Sequence, residues 1–297
     1  MNILILSRNI SLYSTHRLVS ECHKKGHKAT VLDPLNFNLI IDGNQSKITD
    51  QSNNPIQPDV VIPRIGSNIT NFGAAVLRHF ELKKIPVTLS SDALLYARDK
   101  LVALQLLANQ GIPVPKTCLL SPLGVNQKLI AQEFEFPAIL KLLDSTQGLG
   151  VILSETKNNA VAVAEAFQAS QQKYIMQKYI AESSGQDIRA FVIGGEVVAT
   201  MLRKAQEGEF RSNIHRGASA RMIQLSEEEN EIALQAARIL KLNVAGVDII
   251  RSKDGPLVLE VNASPGLEGI EKTTRINIAG RIIEFAGTLA RQSEHNG

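Results

Sequence analysis

The sequence predicts an α/β unit followed by an α+β region, and three observations carry that expectation. Over the first third, short apolar runs alternate with helical patterns, which implies parallel strands joined by crossover helices. Over the last third, apolar runs pair across turns, as in DIRAFVIGGEVVATMLRK around Gly194-Gly195, which implies antiparallel hairpins. No window approaches the roughly 18 apolar residues that span a bilayer. The opening MNILILSRN lacks the positive start and long apolar stretch of a secretory signal, so the expected location is the cytoplasm, with no membrane partner.

In order, Asn2 to Leu6 reads as a buried strand and Ser14 to Lys25 as a helix ended by Gly26. Lys28 to Leu32 and Val60 to Ile62 supply further strands. The polar stretch Asp42 to Gln57 between them reads as a surface excursion. A helix over Asn71 to Lys84 and a strand at Val87 to Leu89 follow. The first strand runs into Ser7-Arg8-Asn9-Ile10 without glycine, so the tight turn of a dinucleotide-binding fold is absent and a nicotinamide cofactor is not expected there.

From Asp92 a single helical pattern runs to Asn109, stopped by Gly111, Pro113 and Pro115. Strands are expected near Thr117, at Ala138 to Leu142, at Val151 to Leu153 and at Tyr174 to Ile180, with helices near Lys128 and over Asn159 to Ala169. Helices at Glu227 to Leu240 and Asn277 to Arg291 bracket a hairpin at Ala245 to Asn262, and Ser293 to Gly297 is expected to fray.

Composition narrows the function classes. The 297 residues suggest about two domains at roughly 100–200 residues each. Thirty-two Lys and Arg against 29 Asp and Glu leave a formal charge of +3, too little for a polyanion binder built on bulk charge. Aromatics at 4% and the absence of Trp argue against stacking platforms for single strands, so no direct nucleic-acid readout is expected. Cys22 and Cys118 are too few for a disulfide scaffold.

The chemistry concentrates in GVDIIRSKDGPLVLEVNASPG, Gly246 to Gly266. With a five-residue loop at Ser252 to Pro256, Asp248 lies opposite Glu260, and Asn262 shares their face. Two carboxylates and an amide carbonyl are hard oxygen donors, suited to Mg²⁺ or Mn²⁺ rather than zinc. From this segment alone, a metal face and a hairpin of solvated acids are equally good readings.

Lys141 is a lone charge inside the apolar run AILKLL, either an ammonium aimed at phosphate oxygens or a snorkelling side chain. Gln147-Gly148-Leu149-Gly150 then reads as a flap over phosphates or as an ordinary loop, and no Walker motif follows it. Lys100, taken by itself, reads as a solvated helix charge. Arg203 to Arg221 carries five Arg or Lys against Glu207 and Glu209, and its core, Arg211 to Gly217, has no amphipathic period and ends in glycine. That core reads as a ligand-bearing or solvated loop.

These residues resemble the ATP-grasp superfamily and, within it, the RimK group of ribosomal protein modification enzymes. The resemblance spans almost the whole chain. It is most specific at PRIG (Pro63 to Gly66), EGEFRSNIHRGA, VAGVDIIR and LEVNASPGLEGIEKTT. It implies a pre-ATP-grasp α/β domain at 1–95, a lid and adenine-binding lobe at 96–186, and a metal-bearing lobe at 187–297, the last two clamping ATP.

It also implies ATP-dependent ligation of L-glutamate to the C-terminus of a ribosomal small-subunit protein through an acyl phosphate, with poly-α-glutamate as a further product. A homo-oligomer is expected. By the same resemblance, Asp248 and Glu260 hold one Mg²⁺ and Glu260 with Asn262 a second, Mn²⁺ being the substitute ion. Lys100 and Lys141 contact phosphates, and Gln177, Lys178, Tyr179 and Ile180 form the adenine hinge. Asp187, Arg211, Ser212 and Asn213 touch nucleotide, and Arg203 with Lys141 stabilises the reacting phosphoryl group. Lys178 stands where the family often has Glu, which puts a side-chain contact there in question but not a main-chain one. Two other readings are weighed beside this one: the same chemistry on a small peptide, cofactor or carrier-protein acceptor, and a non-catalytic, ribosome-associated nucleotide binder.

Overall fold

The computed structural model describes residues 1–143, 149–212 and 217–295. Its first unit contains β1 (Asn2–Leu6), α1 (Tyr13–Lys24), β2 (Lys28–Leu32), β3 (Asn38–Asp42), β4 (Gln45–Thr49), β5 (Val60–Pro63), α2 (Thr70–Leu82) and α3 (Ser91–Arg98). A three-stranded parallel sheet runs in the order β2-β1-β5. The polar stretch expected as a surface excursion is mostly exposed, and its first part forms β4, which pairs antiparallel with β3 just before it. Val87 makes only an isolated bridge to Val61, so no strand forms at Val87 to Leu89.

The single helix expected from Asp92 to Asn109 is two, α3 and α4 (Lys100–Asn109). Asp99 sits between them in an extended conformation. Its carboxylate accepts from the N–H groups of Leu101 and Val102 at 3.0 and 3.1 Å, so it caps the second helix rather than continuing the first.

A four-stranded antiparallel sheet follows. It is built from β6 (Thr117–Leu119), β7 (Ala138–Leu142), β8 (Val151–Ser154) and β9 (Tyr174–Lys178) in the order β6-β9-β7-β8, and carries α5 (Gln127–Glu133) and α6 (Lys157–Ala169). Its core is its own: Ile130, Phe134, Leu140, Ala160, Ala164, Tyr174 and Met176.

The last third holds β10 (Gln186–Ile193), β11 (Glu196–Lys204), β12 (Ser219–Met222), α7 (Glu227–Ile239), β13 (Val244–Ser252), β14 (Gly255–Asn262), α8 (Glu268–Thr274) and α9 (Ile278–His295). Its sheet is antiparallel in the order β12-β11-β10-β13-β14. Gly194 and Gly195 both take positive φ, +59° and +85°, which the two-residue turn between β10 and β11 demands. Beyond the stretch read as a loop, Ser219–Met222 pairs with β11 as β12, and α9 is helical to His295, while Asn296 and Gly297 of the stretch expected to fray lie outside the described residues.

Alternation along β10 decides what the sheet does. Ile188, Ala190 and Val192 face α7, whose Ile232, Ala233 and Ala236, with Leu240 just past its end, fill that side. On the other face Phe191 and Ile193 pack with Ile270, Ile278, Ile282 and Ile283 of α8 and α9. Asp187 and Arg189 continue that second face beyond the apolar cover. The parallel sheet feeds the same two cores, Leu4 and Val61 into the first, Ile3, Ile5 and Val60 into the second. A buried polar knot also ties the units: Glu21 of α1 accepts from Arg17, Lys24 and Asn277, while Arg17 and Tyr13 donate to Glu271.

Candidate active site

Asp248 and Glu260 are direct cross-strand partners, as the sequence predicts, but the route differs. The connection is a two-residue turn at Lys253-Asp254, closed by Ser252 opposite Gly255. A bulge at Leu259 then restores the pairing that a five-residue loop would have given. Pro256 lies within β14, an edge strand, where a residue without an N–H is tolerated. Asn262 pairs with Gly246, two residues further along the same face.

The three donors are not equivalent. Glu260 and Asn262 are half-buried and have no side-chain partner among the described residues. Asp248 is 5% exposed and fully engaged: Arg189 grips it through Nε and through Nη2 at 2.7 Å, and Arg203 Nη2 adds a contact at 3.0 Å. Arg203 also grips Asp187 through Nε and Nη2, both at 2.6 Å.

The register builds this row. Asp187 pairs with Arg203, Arg189 with Asp248, and Asp248 with Glu260, so all lie on one face across four strands. Gly246 makes room for it, since a Cβ there would meet Pro265 Cβ at 2.8 Å and Arg189 Cδ at 3.2 Å.

Within the row the buried acids Asp187 and Asp248 are matched by the buried Arg203 and the partly buried Arg189, while Glu260 has no paired arginine among the described residues. Burial alone would raise the Asp248 carboxyl, yet Arg189 and Arg203 hold it below its ordinary range. Burial pushes the Asp187 carboxyl above its ordinary value against the pull of Arg203. Burial opposes charge on Arg203, but Asp248 and Asp187 together hold it firmly protonated.

Arg189 was missed from sequence. Its signal is a basic residue two places after Asp187 in an otherwise apolar strand, which puts both charges on one face.

Among the described residues no group of three His, Cys, Asp or Glu side chains forms a metal cluster. The donor chemistry still fits a hard divalent ion at Glu260 and Asn262, both oxygen-bearing and unpartnered. Asp248 fits only if Arg189 releases it.

The lysines converge on the same place. Lys100, the first residue of α4, and Lys141, 9% exposed in β7, line one narrow crevice with Glu260. Lys100 Nζ also donates to Leu143 O at 2.9 Å. Gln177 is buried and donates to Thr117 Oγ1, and the Lys178 N–H is taken by Lys116 O at 2.8 Å. Tyr179 and Ile180 lie past the end of β9, so the strand is shorter than expected. The Tyr179 ring meets Phe210 edge-on at 6.4 Å.

Arg211 is clamped by Glu209 at 2.7 Å and lies over the Phe210 ring. Glu209 is thereby held low, at about 2, first by the Arg211 hydrogen bond. Ser212 is buried beside Asp187, to which it hydrogen-bonds. Asn213, and Gln147 and Gly148 of the expected flap, lie outside the described residues.

Residues 1–94 match the RimK pre-ATP-grasp domain and residues 97–286 the RimK-like ATP-grasp domain. A relative from Aliivibrio fischeri (strain MJ11), named probable alpha-L-glutamate ligase, is 47% identical over 285 residues, 96% of this chain and 95% of that protein. One of the same name from Thioalkalivibrio sulfidiphilus is 46% identical over 291 residues, covering 98% and 97%.

Among solved structures, the ATP-grasp ligase PsnB complexed with minimal precursor superposes with a TM-score of 0.75 at 20% identity, covering 97% of this chain and 98% of that one. D-alanine–D-alanine ligase from Bacillus anthracis complexed with ATP gives 0.74 at 17% identity over the whole of both chains. At these identities the likeness shows the ATP-grasp fold. The chain belongs to the RimK family, carries the ATP-grasp fold and is an ATP-dependent ligase.

Proposed function

We propose that this ligase joins the amine of L-glutamate to a carboxylate at the C-terminus of a ribosomal small-subunit protein. The observation that carries the reading is the convergence of Lys100, Lys141 and Glu260 on one crevice beside the Asp248 row, in a chain 47% identical to a protein named as a glutamate ligase. An acceptor carboxylate oxygen attacks the γ-phosphorus of ATP, the bond to the β-phosphate oxygen breaks, and an acyl phosphate and ADP form. The glutamate nitrogen then attacks the acyl carbon, the carbon–oxygen bond to phosphate breaks, the nitrogen loses a proton, and phosphate leaves.

Lys100 and Lys141 hold the transferring phosphoryl oxygens, and the sheet face behind them keeps water from the acyl phosphate. Arg203 orients Asp248 from below. Glu260 and Asn262 would hold Mg²⁺, or Mn²⁺ in its place, and Asp248 would join them on release by Arg189. Such ions neutralise phosphate charge when bound. Gln177 to Ile180 are the proposed adenine hinge, and Arg211, Ser212 and Asn213 are proposed as further nucleotide contacts.

The test is intact-mass analysis of the candidate ribosomal protein with ATP, Mg²⁺ and L-glutamate. Mass steps of one glutamyl residue are the expected result, and ATP consumption without such steps on any acceptor would overturn the glutamate assignment. A short peptide acceptor stays as a second reading because the ATP-grasp ligase PsnB has been solved with a precursor peptide. It predicts the same steps on a free peptide ending in glutamate.

A further inference from the structure

Two arginines near this site make no ion pair among the described residues. Arg64 follows β5 at the carboxyl end of the parallel sheet, where α/β folds place ligands. Its N–H donates to Leu6 O at 2.8 Å, and its Nη2 donates to Pro265 O at 2.8 Å, just past Asn262. Arg98 ends α3 and donates through Nη2 to Ile65 O, while its Nε is buried with no partner at all.

Among the described residues neither guanidinium has a carboxylate within ion-pair distance, although every other arginine of the site has one. The two charges press on each other. Burial first, and then Arg98, pull the Arg64 guanidinium down to about 10. The charge felt favourably by Arg98 is Glu260, the proposed metal donor. Ser264 adds a buried hydroxyl without a partner, one residue before Pro265.

A partly buried cationic pair whose hydrogen bonds go only to carbonyls is stabilised further when an anion completes it. Guanidinium forks match planar carboxylates, and this pair borders Glu260 from the N-terminal unit, apart from the lysine crevice. We propose that Arg64 and Arg98 together receive a substrate carboxylate that is not phosphorylated, belonging either to free L-glutamate or to a glutamate at the acceptor's end. The inference rests on the glutamate-ligase reading for its ligand, and on geometry alone for its site.

The test is calorimetry on the full chain loaded with ADP and Mg²⁺, titrated with L-glutamate, with a short peptide ending in glutamate, and with glutarate as a bare dicarboxylate. Arg64→Met and Arg98→Met should each weaken one of the two natural ligands at least tenfold, and Arg64→Lys and Arg98→Lys should recover part of it. ADP affinity should stay within twofold, which also shows that the variants fold. Loss confined to L-glutamate identifies the incoming amino acid as the source, and loss confined to the peptide identifies the acceptor. Unchanged affinity for all three ligands overturns the proposal, as does an equal loss of ADP affinity, which would make the arginines phosphate contacts. If no acceptor gains glutamate, the functional reading fails, yet a tenfold difference in glutarate binding between wild type and Arg64→Met would still support the carboxylate site, and its absence would remove it.

Discussion

Replacing Arg189 by Met isolates the energetic role of the buried row. Met has similar reach and no charge, so the apolar packing near Gly246 is largely kept. Asp248 is 5% exposed and accepts from Arg189 through two atoms and from Arg203 through one. The variant removes two of those three charge-assisted contacts and leaves Asp187 and Asp248 to share the single guanidinium of Arg203. Each such bond contributes about 1.5–3 kcal/mol, and breaking a buried pair from one side typically costs about 3–5 kcal/mol. The expected loss is therefore about 3 kcal/mol, since Arg203 still covers one oxygen.

Urea unfolding followed by far-UV circular dichroism measures it, because the chain has no Trp to report by fluorescence. Arg78→Met is the matched control. Its partner Asp92 lies 2.7 Å away, but both side chains are about half exposed, so the loss there should stay below about 1 kcal/mol. A midpoint for Arg189→Met no lower than that of Arg78→Met would refute the view that Arg189 neutralises Asp248 in the unliganded protein.

Three further outcomes follow from the same geometry. Glu260→Gln should lower Mg²⁺-dependent ATP turnover about a hundredfold, roughly 3 kcal/mol of barrier, with an unchanged dichroism spectrum; near wild-type turnover would remove Glu260 from the metal set. Lys141→Ala should weaken ATP binding by calorimetry more than Lys25→Ala, whose side chain pairs with Glu284 at the surface, and equal affinities would take Lys141 out of the crevice chemistry. Glu21 is held at about 2: burial raises it, but bonds from Lys24, Asn277 and Arg17 win. Because the folded value lies below the unfolded one near 4.5, its stabilisation is present above pH 4.5 and is lost as pH falls toward 2. After allowance for the exposed Lys24, the effect is about 2 kcal/mol. Glu21→Gln should destabilise at pH 7 and match wild type at pH 2, and a pH-independent gap would contradict the linkage.

Much of this was legible along the chain because periodicity reports which face a residue takes. The strand Asn2–Leu6 and the turn at Gly194-Gly195 needed nothing beyond local pattern. The pairing of Asp248 with Glu260 was reached through a loop of the wrong length. The real turn closes one step tighter, and the Leu259 bulge returns the lost residue, so the pairing survived although its stated cause did not. Periodicity fails where the deciding partner is distant in sequence. Nothing local distinguishes Asp99 as a cap from Asp99 as a helix residue. The strand Ser219–Met222 forms because β11 offers it an edge, which no window around the basic stretch contains. Arg189 was invisible as a partner of Asp248 for the same reason, since 59 residues separate them.

The charge arrangement of the sheet face separates two kinds of acid. Behind the crevice, Asp187 and Asp248 are matched by Arg203 and Arg189, so of the acids on that face Glu260 is the one that no arginine pairs with among the described residues. In front, Lys141 comes from a sheet with its own separate core, whereas Glu260 comes from a sheet that shares two cores with the N-terminal unit. The proposed phosphate contact and the proposed metal donors therefore come from sheets that fold around different interiors, yet they line one crevice. Under the proposed function, a nucleotide held between them draws binding energy from both sheets, and the arginines paired with Asp187 and Asp248 keep those two acids from opposing its phosphates.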